Sequence, residues 1–240
     1  VATYPLTALV LRKTKLGEAD LILTLLGSDG ALHKAIAKGA RKPGSKFGGR
    51  AEPATVFSGI LARGKSLDII SDARTIDSHH RIREDYDTAM GASVILDFAA
   101  KVSFEALEDE RFFQLTVRAL ETLEKYAYGR SEPDTSLDET SKLKQIHLIV
   151  TAYLLKASAM QGYRMDLENG TESQYNAEWR DKDITSSLSF LLGATFAQIE
   201  EQDQEVWGDI TLLFDTVRLF VRDNIDARLK ALDAYTTLNS

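Results

Sequence analysis

The spacing of apolar residues changes near residue 80, and this limits the chain to two kinds of structure in series. Before that point apolar runs are short, β-rich and separated by turn residues; after it they recur at every third or fourth position over helix-length windows. An α+β architecture follows, with a β module over residues 1–79 and a helical domain over 80–240.

In the β part, Leu6-Thr7-Ala8-Leu9-Val10-Leu11 reads as a strand that ends at Arg12-Lys13. A turn at Leu16-Gly17-Glu18-Ala19-Asp20 leads to a second strand, Leu21 to Leu26. Ser28-Asp29-Gly30 predicts a tight hairpin in which Asp-Gly supplies positive φ angles. The third strand, Ala31 to Lys38, puts His33, Ala35 and Ala37 on one face and Lys34, Ile36 and Lys38 on the other. Ala54 to Leu61 and Ser66 to Ile70 are two more strands, joined by the basic tip Ala62-Arg63-Gly64-Lys65. Five short strands with glycine turns predict a small closed barrel of the oligonucleotide-binding (OB) type.

The helical part begins with Ile82 to Phe104, whose apolar residues run almost all round and predict burial on several sides. Asp109 is placed to cap a helix that runs through Phe112, Ala119 and Leu123 and ends near Gly129. Arg130 to Thr140 reads as a solvated connection, followed by a helix with Leu143, Ile146, Val150, Tyr153, Leu154 and Ala157 on one face, stopping at Gly162. The stretch 162–183 lacks a period and is expected to be irregular. One helix over Ile184 to Ile199 and one over Trp207 to Tyr235 complete the chain.

Charge separates along the same division. The net charge is −7, yet residues 1–80 hold 12 Lys and Arg against 7 Asp and Glu, whereas residues 81–240 hold 17 against 29. Six cations (Lys34, Lys38, Arg41, Lys42, Lys46 and Arg50) fall between Asp29 and Glu52 with no carboxylate among them. Gly39, Gly44, Gly48 and Gly49 give that stretch backbone freedom and Pro43 denies it a helix, so it reads as a mobile basic loop fit for a phosphate track. With Arg12 and Lys13 from the end of the first strand, these cations are the residues expected to bind an anionic polymer, DNA under the family resemblance given below. Phe47, the one aromatic among them, either stacks on a base or pins the loop to the barrel.

Other chemistries find no support. Gly39 and Gly44 have the spacing of a phosphate-binding G-x4-G-K-[ST] loop, but Ser45-Lys46 reverses the required order. His33, His79, His80 and His147 are scattered, and the His79-His80 pair reads as part of a linker. Glu108-Asp109-Glu110 and the acidic run Glu200 to Glu205 suit helix ends better than a two-metal site. Without cysteine there is no thiolate metal site or disulfide, and no apolar run or signal pattern suggests a membrane. The expectation is a cytoplasmic binding protein without cofactor or catalytic residue.

Val10-Leu11-Arg12, Gly17-Glu18-Ala19-Asp20, Gly30, Ala37-Lys38-Gly39-Ala40-Arg41-Lys42, Ser45-Lys46-Phe47-Gly48-Gly49 and Pro53 together resemble the start of the bacterial RecO family of recombination mediators. Arg228-Leu229-Lys230-Ala231-Leu232 is similar to that family's closing helix. The resemblance implies an OB barrel and a helical domain that bind single- and double-stranded DNA without sequence preference and anneal complementary strands. It also implies contact with the C-terminal tail of single-stranded DNA-binding protein (SSB), and action with RecR to load RecA at the nucleoid. Many members carry a four-cysteine zinc motif after the helix matching Leu143 to Gln161; here Arg164 to Asp183 holds neither cysteine nor histidine, so zinc is not expected. The alternative is an RNA-binding OB adaptor with no recombination role.

Overall fold

The computed structural model describes residues 2–104, 108–127, 138–167, 184–225 and 228–238. Five strands come first: β1 (Thr3–Leu16), β2 (Asp20–Gly27), β3 (Leu32–Ala37), β4 (Val56–Ala62) and β5 (Asp68–Asp77). They close into a barrel in the order β1-β2-β3-β5-β4, with β4 pairing back onto β1; only β3 and β5 run parallel. This is the expected OB architecture.

The interior alternates large and small residues across the rungs. Leu23 and Leu21 of β2 stand opposite Ala35 and Ala37 of β3, and all four are buried in one cluster with Val10, Phe57, Leu61 and Ile70. The alanines let the sheet curl tightly, while Lys34 on the other face of β3 and Lys38 just past its end are exposed.

The strands differ from expectation where they leave the core. β1 continues past Arg12-Lys13 to Leu16 through exposed residues, and β5 continues past Ile70 to Asp77 with Ala73 alone buried, so the period of two is hidden in both. A register shift between Val10 and Arg12 marks a β-bulge, the device that lets a strand turn a barrel corner. The Ser28–Gly30 turn is also of another type. Gly30 has φ of 87° but Asp29 does not take a positive φ, and Gly27 N–H donates to Ala31 O at 2.9 Å. That is a three-residue loop closed by a left-handed glycine. Any Cβ on Gly30 would stand 2.3 Å from the carbonyl oxygen of Asp109, so close approach demands glycine as much as the turn does.

Among the described residues seven α-helices follow: α1 (Tyr86–Val102), α2 (Glu110–Glu124), α3 (Glu139–Met160), α4 (Thr185–Gly193), α5 (Phe196–Glu200), α6 (Ile210–Asn224) and α7 (Lys230–Leu238). Asp109 caps α2 through Arg111 N–H at 3.0 Å, and Gly162, at φ of 90°, closes α3 as Tyr163 N–H donates to Ser158 O at 2.9 Å. Two helices expected to be continuous are broken. Thr195 and Gln198 form a capping box that starts α5 afresh after α4. Ile225, extended at φ −104° and ψ 109°, ends α6 before α7, and Gly208 separates a 3₁₀ turn at Gln204–Trp207 from the start of α6.

α3 also departs from its expected single apolar face. Leu148 to Leu155 are at most 1% exposed all round the helix, and Thr151 tolerates this burial by turning its hydroxyl back to His147 O at 2.6 Å. The expected connection over 130–140 and irregular stretch over 162–183 fall largely on residues 128–137 and 168–183, outside the described residues.

Packing divides the chain into two compact units. One comprises residues 1–80 with 96–117, and in it Leu32 N–H donates to Phe104 O at 3.2 Å. The other comprises residues 81–95 with 118–240, in which α4, α5 and α6 pack on α3. Among the described residues no helix is long and apolar enough to cross a membrane.

Candidate nucleic-acid interface

The basic stretch forms the connection between β3 and β4, and it is a chain of turns rather than an open loop. Lys42 N–H donates to Gly39 O (3.0 Å), Ser45 to Lys42 (3.1 Å) and Gly48 to Ser45 (3.2 Å), before a 3₁₀ turn at Gly49–Ala51. The start of the connection is fastened to the β1–β2 tip: Gly39 N–H donates to the Asp20 carboxylate at 2.7 Å, Arg41 N–H to Ala19 O and the Arg41 guanidinium to Gly17 O, both at 2.9 Å. Its far end is stitched to β1 by Ala54 N–H to Val10 O and Val10 N–H to Thr55 O, each 2.9 Å. Gly39 and Gly44 need their glycines, with φ of 65° and 71°, whereas Gly48 sits in the ordinary right-handed region.

Phe47 is 5% exposed and belongs to the barrel core beside Ala40 and Ala51. A ring so placed offers no face to a base, and its position fits the anchoring role instead. Lys46 lies over that ring with its ammonium 5.1 Å from the centroid, donating to Ser71 O at 3.0 Å.

The expected cations fall into two groups. Arg12 pairs with Asp97 at 2.7 Å and Lys13 with Glu52 at 2.5 Å, so each has a counter-charge of its own and adds little net field. Lys34, Lys38, Arg41, Lys42 and Arg50 have no carboxylate within ion-pair distance among the described residues. The two arginines of that group donate to backbone carbonyls, Arg41 to Gly17 O and Arg50 to Lys46 O, which orients them without neutralising them. Lys46 is intermediate, 3.9 Å from an exposed Asp72. Lys34 is exposed on β3, and Lys38 is exposed in the turn that directly follows the strand.

Two residues carry weight that the sequence did not reveal. Asp20 accepts the Gly39 amide, and its only sequence signal is its place in the turn motif. His79, expected in a linker, is instead fully buried at φ of 41°, with Nδ1 2.7 Å from Ala54 O, and ties the end of the basic connection to the exit of β5. The four-thiolate zinc set does not fit this chain, which has no cysteine.

A closed five-stranded barrel carrying exposed cations on one strand and the adjoining connection defines an OB-type module with a cationic surface. Residues 2–79 match the family described as "Recombination protein O N terminal". Over 162 residues, 67% of this chain and 59% of the relative, the sequence is 37% identical to the DNA repair protein RecO of Bifidobacterium adolescentis. It is 35% identical to that of Frankia casuarinae over 162 residues (67% and 60%) and 38% identical to that of Synechococcus elongatus over 122 residues (51% and 46%). The barrel thus matches the recombination protein O N-terminal family, and the chain is similar over part of its length to the DNA repair proteins RecO. The matches span about half to three-fifths of those relatives' own length.

Proposed function

We propose that the chain acts in DNA repair and homologous recombination by holding DNA through its phosphates on the barrel. The observation that carries this reading is the set of exposed cations on β3 and the β3–β4 connection that lack carboxylate partners among the described residues. Phosphate contacts carry no base information, so single and double strands of any sequence are ligands. Neutralising phosphates on two strands at once lowers their mutual repulsion, which is the physical basis for strand annealing. With the relatives' printed role in DNA repair, this supports a mediator that anneals strands and, together with RecR, helps load RecA on SSB-coated DNA in the bacterial cytoplasm. The helical domain is assigned the acidic, apolar SSB tail.

The test is the salt dependence of single-strand binding. About six engaged cations predict a slope of log K against log salt near −4, at about −0.7 per contact. Lys38→Gln with Lys42→Gln, neither of which has an ion-pair partner among the described residues, lowers affinity and brings the slope to about −3. An unchanged slope puts the interface elsewhere. Preference for RNA over DNA oligonucleotides in the same titration favours the adaptor reading.

A further inference from the structure

The basic tip between β4 and β5 is not used by the surface just described, yet it borders a polar pocket of its own. The pocket, about 280 Å³, lies at the end of the barrel where β1 begins, and its lining includes Tyr4, His33, Lys34, Arg63, Ser66 and Asp68. Arg63 lies over the Tyr4 ring with its guanidinium carbon 4.9 Å from the centroid, and its backbone N–H donates to Ala2 O at 2.9 Å. The ring beneath is fixed in turn, because the Tyr4 hydroxyl donates to Asp68 at 2.5 Å.

The two carboxylates near the pocket are engaged by other groups. Asp68 accepts the Tyr4 hydroxyl and Gly64 N–H (3.0 Å), while Asp29 accepts Ala31 N–H (2.9 Å) and faces His33 Nε2 at 3.2 Å. Neither Lys34 nor Arg63 forms an ion pair among the described residues. An exposed guanidinium seated over an aromatic ring is a stacking platform for a base, and a neighbouring ammonium is a seat for its phosphate.

We propose that this pocket is a nucleotide subsite, in which one base of a single strand stacks on Arg63 and its phosphate meets Lys34. It rests on the DNA-binding reading above and extends that surface. Lys34 lies on β3 and Lys38 in the turn that begins the β3–β4 connection, so a nucleic-acid strand laid along β3 joins the pocket to that connection. The subsite adds stacking to a surface whose own aromatic, Phe47, is buried.

The test is fluorescence anisotropy with a single-stranded oligonucleotide of about 12 residues, inside the usual span of one OB fold. Arg63→Ala lowers affinity by about tenfold. Arg63→Lys, which keeps the charge and the fold but loses the plane, lowers it by a similar factor while leaving the salt slope unaltered. Arg63→Lys at parental affinity overturns the stacked base. If Arg63→Ala binds as the parent does while the Lys38→Gln, Lys42→Gln variant is weakened, the subsite is wrong and the barrel surface stands. If neither variant changes binding, both are wrong.

Discussion

Phe47 separates two ways in which the basic connection can work, and a pair of substitutions reads the difference. Removing its ring from the core takes away a side chain only 5% exposed, in the cluster formed by residues of all five strands with Ala40 and Ala51. Phe→Ala changes in such settings cost about 3–5 kcal/mol, the sum of lost transfer energy and the cavity left behind. For a chain of this size that lowers the melting temperature by about 10 °C. Phe47→Leu retains most of the volume and costs about 1 kcal/mol. If the ring is an anchor, Phe47→Leu keeps DNA affinity within about twofold, and Phe47→Ala loses affinity together with stability. Thermal denaturation by circular dichroism, run beside anisotropy titrations on the same samples, gives both quantities. A Phe47→Leu protein that melts normally but binds about tenfold more weakly refutes the reasoning, because only a ring that leaves the core to stack behaves so.

The other predictions concern the helical unit. Lys142 is 3% exposed and lies 2.5 Å from Asp85 and 3.1 Å from Asp87; Lys142→Met strands both carboxylates and costs about 3 kcal/mol by urea denaturation near pH 7. Burial pushes the Asp85 carboxyl up, but hydrogen bonds from Lys142 and Thr88 outweigh it and hold the acid below its ordinary value, so its contribution is present above about pH 4 and lost as pH falls through the depressed value. The deficit of Lys142→Met therefore shrinks in acid, and a pH-independent deficit counts against the ion pair. Burial alone brings Lys156 down to about 8, with its ammonium donating to Leu192 O at 2.6 Å. The unfolded chain then binds more protons between about pH 8 and 10.5, so stability from this group rises with pH across that window. Lys156→Met removes the rise and, after allowance for solvent screening, stabilises the protein at neutral pH by about 1 kcal/mol; no gain and an unchanged pH profile refute it.

The sequence reveals those features that local rules govern. Alternation on β3 separates Ala35 and Ala37 from Lys34 because a strand has two faces and one of them is dry. The caps at Asp109 and Gly162 are visible because their chemistry is local. What stays hidden depends on contacts distant along the chain. Arg12 finds Asp97 across 85 positions and Lys13 finds Glu52 across 39, and no pattern near either lysine or arginine announces a partner. Phe47 looks available because its neighbours are polar, yet a single aromatic in a basic loop is as good a plug for a barrel as a platform for a base. The break between α6 and α7 is missed because the apolar period continues through Ile225 and Leu229 on both sides of it, with no proline or glycine to mark it.

Two stretches that carry the family resemblance, Gly17 to Asp20 and Ala37 to Lys42, are partners in space, and this bears on how the surface holds a polyanion. Gly17, at φ of 56°, makes the turn whose carbonyl receives Arg41, and Asp20 receives the Gly39 amide, so the hairpin tip fixes the first residues of the basic connection. Ordering a backbone costs about 1 kcal/mol per residue or more. A connection of this length that became ordered only on binding would forfeit on the order of 10 kcal/mol, as much as a micromolar to nanomolar complex gains altogether. A connection already folded against β1 and plugged by Phe47 avoids that loss, and its cations meet the phosphates at spacings set before the encounter. Under the proposed function, the glycines and the buried aromatic in the basic stretch therefore serve affinity without touching DNA, and the charged side chains between them make the contacts.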